Sequence, residues 1–136
     1  MPGISRNQLG PVGRAGEDIA AEYLKKNGYT IIGRNVKIGR TDIDIICSDE
    51  KHVVFVEVKA RSYNPSLKNT LYGSPSAAVT YKKKKNILSA AYTWLRENRT
   101  GLYPRIDVIE VILERTDSGF RLNKINHFRN AVTNDR

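Results

Sequence analysis

The segment from His52 to Arg61, HVVFVEVKAR, constrains this chain more than any other. It is strongly β-branched, and its apolar residues fall on both faces of a strand, the mark of a strand covered on both sides. Side chains on a strand alternate with period two, so Val54, Val56, Val58 and Ala60 face one way while Val53, Phe55, Glu57 and Lys59 face the other. Glu57 and Lys59 are then neighbours about 7 Å apart along one face, and Arg61 continues that face. A second segment, Thr41 to Ser48, alternates apolar and acidic residues. It sets Ile43, Ile45 and Cys47 on one face and Asp42, Asp44 and Ile46 on the other. If the two segments pair, Asp44 lies beside Glu57. Carboxylates buried in a sheet are unfavourable unless a cation compensates them. Two readings follow. One is a Glu57–Lys59–Asp44 ion-pair network at a sheet end. The other is an oxygen cluster that holds a hard divalent cation such as Mg²⁺.

The rest of the chain supplies a frame for these strands. Residues 1–12 hold Pro2, Gly3, Gly10 and Pro11 and read as a loose arm. Arg14 to Lys26 has helical periodicity, with Asn27-Gly28 as a stop. Tyr29 to Val36 reads as the first strand, and Ser48 to Lys51 as a turn between the second and third. The short spacing of these three strands predicts an antiparallel meander. Residues 62–75 break every period and read as a long functional loop. Ser74-Pro75 starts a second helix that runs to about Asn98, with Ile87, Ala90, Ala91, Trp94 and Leu95 on one stripe. Arg105 to Leu113 and Phe120 to Phe128 complete the strands, and a tail, 129–136, is expected to fray. The fold class is α/β, in the order α-β-β-β-α-β-β, with residues 13–128 as one domain. A mixed, mostly four-stranded sheet forms its core.

Glu17 adds a third acid. At about 100° per residue, Ala20, Ala21 and Leu24 lie within roughly 60° of Glu17, whereas Asp18 and Glu22 turn away. Glu17 therefore sits on the buried face, either as a first-turn partner of the helix dipole or as part of the site.

Charge and composition narrow the class of partner. The 136 residues include 23 Lys and Arg against 14 Asp and Glu, a net charge of +9. Residues 62–136 alone carry 13 basic and 6 acidic side chains. That balance points to a polyanion, most often nucleic acid. A single cysteine, Cys47, excludes an internal disulfide and a cysteine-based zinc site. The longest apolar run, Val53 to Val56, is far short of the roughly 18 residues of a membrane span, so no membrane association and a cytoplasmic location are expected.

These residues resemble a known pattern. Asp44 followed by Glu57-Val58-Lys59 is similar to the PD-(D/E)xK signature of restriction-endonuclease-like nucleases, and the element order is similar to their mixed sheet flanked by helices. The closer resemblance is to the YraN family of small bacterial proteins, itself similar to archaeal Holliday-junction resolvases. It is carried by Gly13-Arg14-Ala15-Gly16-Glu17, Asn35, Asp42-Ile43-Asp44-Ile45-Ile46 and Val54 to Arg61. Thr41-Asp42 stands where the usual pattern has Gly-Glu, and no proline precedes Asp44. The resemblance implies that Asp44, Glu57 and the Val58 carbonyl hold Mg²⁺ or Mn²⁺. Lys59 would position water and stabilise charge, and Glu17 would act through water. The implied activity is an endonuclease on DNA, with branched DNA suggested by the resolvases; a two-fold substrate favours a two-fold dimer. The alternative is a non-catalytic nucleic-acid-binding protein with the same fold.

Other features are weaker. Lys82 to Lys85 fan over about 300° of a helix and cannot form one face. Lys83 and Lys84 align with the apolar stripe, and with Arg61 and Arg14 they are the candidates for phosphate contact. Tyr63 and Tyr72 could stack on bases or serve no such role. Asp107 alternates with Ile106 and Val108 and belongs either to the active side of the sheet or to the fold. His52 and His127 have no partner at metal-ligand spacing. Cys47 and Trp94 read as core.

Overall fold

Connections of only two or three residues force successive strands to turn back on one another, and the first three strands do so. A computed structural model of the protein describes residues 10–64 and 81–132. Strands β1 (Thr30–Ile38), β2 (Thr41–Ser48) and β3 (His52–Tyr63) form an antiparallel meander. The turn into β3 is held by Asp49, whose Oδ1 accepts the N–H groups of Lys51 and His52 at 2.8 and 2.6 Å. β4 (Tyr103–Thr116) lies parallel to β3 along its whole length, from His52 opposite Tyr103 to Tyr63 opposite Glu114. β5 (Gly119–Phe128) returns antiparallel to β4. The sheet is thus five-stranded and mixed, in the order β1-β2-β3-β4-β5. β5 is a full member, so the sheet is one strand wider than the four-stranded core expected.

A helix covers each face. α1 (Pro11–Lys26) presents Ala20, Ala21 and Leu24 to Ile45, Cys47, Val54, Val56, Ile109, Val111 and Leu113. It starts three residues before the expected Arg14, with Pro11 at its first turn, where a missing N–H leaves no bond unmade. It stops at Asn27 and Gly28, the latter at φ +91°. α2, described over Tyr81–Glu97, packs Ile87, Ala90 and Ala91 on Ile43, Ile46, Val53, Phe55 and Ile106. Trp94 meets Phe55 edge-on, at 5.6 Å between ring centres. Cys47 is buried, and burial pushes its thiol up to about 12, as a core residue. The expected start at Ser74-Pro75 and most of the 62–75 loop lie outside the described residues, although Ser62 and Tyr63 extend β3.

Two expectations are corrected. Ile43 packs with Ile46 on the α2 face, while Ile45 and Cys47 pack on the α1 face, so strict alternation along β2 breaks at Asp44. The tail is also tied down as far as Val132. The Asn130 N–H donates to Asp107 Oδ1, the Ala131 N–H donates to the Ile106 carbonyl, and Val132 is buried in the α2-side core.

Asp107 is a polar hub of the fold, fully buried on the α1 side. Arg105 donates to both its oxygens at 2.9 Å, and His127 Nε2 lies 2.7 Å from Oδ2. Arg105 also donates to Tyr29 Oη at 2.6 Å, and His127 Nδ1 is 2.9 Å from Tyr23 Oη. Burial alone would raise the Asp107 carboxyl, but the hydrogen bonds from His127, Arg105 and the Asn130 N–H outweigh it and hold the group below its ordinary range. Asp107 thus belongs to the fold and not to the active side.

Gly16 sets how closely α1 lies on the sheet. A methyl group there would stand 2.5 Å from Ala60 Cβ, closer than atoms can approach. Gly16→Ala should therefore destabilise the protein by about 1–3 kcal/mol, the usual effect of overpacking. Denaturant titration would read this as a lower midpoint, and Ala60→Gly in the same chain should recover much of it. For Asp107→Asn the expected loss depends on pH. A carboxylate with a lowered folded-state pKa stabilises above its unfolded value, about 3.9, and the effect is lost as pH falls through the folded value. The stability gap between wild type and Asp107→Asn should be full at pH 6 and close in acid; a gap independent of pH would contradict the assignment.

Candidate active site

β2 and β3 pair only from Ile45 opposite Val56 to Ser48 opposite Val53. Beyond that point β3 continues to Tyr63 without β2 beside it, and the strands part. The parting would leave the Val58 N–H of a buried strand without an acceptor, which is unfavourable. Asp44 solves this: its Oδ2 accepts the Val58 N–H at 2.7 Å. The carboxylate is thereby fixed at the mouth of the opening between the strands. A cavity of about 190 Å³ opens there, lined by Gly13, Glu17, Asp44, Val58, Lys59, Ala60 and Arg61. Because β3 is unpaired on this side, residues from both of its faces reach the cavity.

Glu57 sits at the same level on the α2 face and is buried. Lys59 Nζ lies 3.4 Å from its Oε2 and Lys83 Nζ 3.8 Å from its Oε1. Lys83 thus reaches the site from α2, while Lys84 on the same helix is exposed. Glu17 reaches the site from the α1 face. It is 2 % exposed, and its Oε1 accepts from Asn35 Nδ2 at 2.8 Å and Arg34 Nη2 at 3.3 Å. Asn35 has φ +52°, a left-handed conformation that Asn tolerates better than most residues. Glu17 lies in the second turn of α1, and the first turn holds no acid, so the helix-dipole reading of Glu17 is set aside. Arg14, one turn earlier, is half-buried.

The electrostatics of Asp44 are opposite to those of Asp107. Burial pushes its carboxyl well above the ordinary range, and the charges of Glu57 and Glu17 add to the push. The Val58 N–H and Lys83 oppose it without cancelling it. Asp44 therefore feels both Glu57 and Glu17, although the three come from three elements.

One further acid, Glu110, was not singled out from sequence. Glu110 of β4 is 2 % exposed. Its Oε1 accepts from Asn126 Nδ2 at 2.8 Å, and its Oε2 is buried with no hydrogen-bond partner among the described residues. The signal was an acid at an apolar position of an alternating strand. Asp42 is buried too, with Oδ1 3.7 Å from Lys37 Nζ and Oδ2 unpartnered among the described residues. Tyr63, a candidate for base stacking, accepts a hydrogen bond at its hydroxyl from Asn123 Nδ2 at 2.9 Å, and Tyr72 lies outside the described residues. His52 pairs with Asp49 in the turn, and His127 with Asp107.

Asp44→Asn should be more stable than wild type at pH 7. A carboxyl whose folded pKa is raised stabilises below its unfolded value, about 3.9, and that stability is lost as pH rises through the folded value. Denaturant midpoints should favour the variant at neutral pH and converge near pH 4. Equal midpoints at pH 7 would contradict a carboxyl held above its ordinary range.

Comparison with known proteins places these residues in a wider set. A profile of a family described as "Uncharacterised protein family UPF0102" matches residues 16–111, a span that includes Glu17, Asp44, Glu57, Lys59 and Glu110. A UPF0102 protein of Clostridium botulinum (strain Loch Maree / Type A3) is 39 % identical over 116 residues, covering 84 % of this chain and 89 % of the relative. A UPF0102 protein of Chloroherpeton thalassium is 40 % identical over 105 residues, covering 76 % of this chain and 77 % of the relative.

Proposed function

The chain belongs to the UPF0102 (YraN) family, and from the geometry of its site we propose that it is a divalent-metal-dependent endonuclease acting on DNA, with branched DNA its preferred substrate. One observation carries the reading. Asp44 and Glu57 stand together at the parting of two central strands, beside a cavity edged by Lys59 and Arg61, in a protein of net charge +9. Two mutually repelling carboxylates, Glu57 buried and Asp44 half-buried, are a donor set that a dication would neutralise.

The residues fit such an ion. Among the described residues no group of three His, Cys, Asp or Glu side chains is placed to hold a metal. Mg²⁺ does not require one, since it keeps several waters and binds through one or two carboxylates. Asp44, Glu57 and the Val58 carbonyl would hold it, all through oxygen, which suits Mg²⁺ or Mn²⁺. When bound, the ion supplies Lewis-acid polarisation of the phosphodiester and acidifies the attacking water. The chain's own groups do the rest. The Lys59 ammonium stabilises charge that develops on the phosphate oxygens. Arg61, on the cavity wall, suits bidentate contact with a phosphate. Lys83, Lys84 and Arg14 extend the positive rim, so binding weakens steeply with salt. Glu17, steadied by Asn35 and Arg34, orients water. Cutting both strands of a two-fold junction needs two sites, which favours a homodimer. No helix among the described residues is long and apolar enough to cross a membrane.

A specific observation supports a second reading. Glu57 already has two lysine partners, as an ion-pair network in a non-catalytic DNA-binding protein would have. The two readings separate in one experiment. Wild type and Glu57→Ala are incubated with labelled four-way junction, duplex and single-stranded DNA, with Mn²⁺ or with chelator. The nuclease reading expects cutting that needs the metal, is fastest on the junction and falls by at least about 100-fold in the variant, the scale of losing a charge-stabilising group. Salt-sensitive binding without cutting, as tight or tighter in Glu57→Ala because repulsion of the phosphates falls, would replace it with the binding reading.

A further inference from the structure

Glu110 has no part in the reading above, yet its surroundings are unusual. Lys59 of β3 and Glu110 of β4 are partners in the parallel register. Ile106 packs on the α2 face and Ile109 and Val111 on the α1 face, so alternation sets Glu110 on the α2 face. Glu57 and Lys59 share that face with it. Neighbouring strands lie about 4.8 Å apart, within easy reach of a lysine's four-carbon stem. Asn126, in register from β5, holds one Glu110 oxygen and leaves the other buried without a partner among the described residues. A buried carboxylate oxygen left unpaired is unfavourable. Lys59, for its part, is held loosely. Its 3.4 Å approach to Glu57 is long beside the roughly 2.7–2.9 Å of a charge-assisted hydrogen bond.

We propose that Glu110 is a positioning residue for Lys59: when the Glu57 carboxylate is engaged elsewhere, the Lys59 ammonium transfers to Glu110 Oε2, with Asn126 fixing that acceptor. The functional use of this transfer rests on the nuclease reading, in which a cation takes Glu57 and would otherwise strip Lys59 of its anchor. The transfer itself needs no metal, since any loss of the Glu57 charge should trigger it.

The test is therefore metal-free at its centre. The ammonium resonance of Lys59 in ¹⁵N-lysine-labelled protein, assigned by its loss in Lys59→Arg, reports hydrogen bonding through slowed proton exchange with water. In Glu57→Gln the slowed resonance should persist. In Glu57→Gln/Glu110→Gln it should be lost, and in Glu57→Gln/Asn126→Ala it should be weakened. Loss in Glu57→Gln alone, or persistence in the double variant, would overturn the proposal. Because Glu110→Gln keeps an acceptor for Asn126 and replaces an oxygen that has no partner among the described residues, its melting temperature should match or exceed wild type; a large fall with no change at the Lys59 resonance would mark Glu110 as merely structural. A second arm uses cleavage. Glu110→Gln should lower kcat by roughly 10- to 100-fold, the range for a misplaced catalytic group. Mn²⁺ affinity by calorimetry should be unchanged, and Glu110→Asp should restore part of the rate. If wild type cuts nothing, the nuclease reading fails while the resonance arm still decides the role of Glu110.

Discussion

A single hydrogen bond, from the Val58 N–H to Asp44 Oδ2, reconciles a continuous central strand with an opening in the sheet. β3 must stay extended to pair with β4 over twelve positions, yet β2 leaves it after four. A side-chain carboxylate replaces the backbone acceptor that β2 would have offered. That substitution keeps β3 straight, opens the cavity, and fixes an acid at its mouth. Glu17 comes from the helix on one face and Glu57 points to the other, and only at such a parting can one carboxylate sense both.

The protein treats its buried acids in two ways. Asp107 is compensated on every side by a bidentate arginine, a histidine and a backbone N–H, and its carboxyl is driven below the ordinary range. Asp44 receives one N–H and faces two other carboxylates, and its carboxyl is driven above that range. The same residue type in one sheet is satisfied where it is fully buried on β4 and frustrated where it is half-buried on β2. Structure-building acids need the first arrangement. An acid left in the second, at the mouth of a cleft, is a functional candidate for that reason.

Much of this was legible in the sequence because strand periodicity is so regular. Val53 to Lys59 alternate as read, the meander follows from connection length, and Asp44 does stand near Glu57. Where alternation breaks, the reading broke with it: Ile43 was assigned to the wrong face because nothing local announces the irregularity at Asp44. The helix start was misjudged because Pro11 looks like a loop residue until its place in the first turn is known. Arg105-x-Asp107 was in principle readable as a same-face pair, but His127 and Tyr23 are more than a hundred residues apart in the chain. Glu110 was missed because an isolated acid in an apolar strand gives no sign of the partner it lacks.

The partners of Asp107 have a consequence for how the chain acquires its structure. They are drawn from the start of β4, the end of β5 and the residues just beyond it, and His127 is itself held by Tyr23 near the end of α1. The meander of β1 to β3 can form from local contacts, but β4 must cross back in parallel before β5 and Asn130 can close the hub. Non-local closure of this kind is slow compared with hairpin formation. During synthesis, the buried Asp107 lacks His127 and the Asn130 N–H until residues 127–130 emerge. The nascent protein thus carries the strands of its candidate site early and the partners of Asp107 late, which makes the emergence of His127 and Asn130 the step that closes the hub.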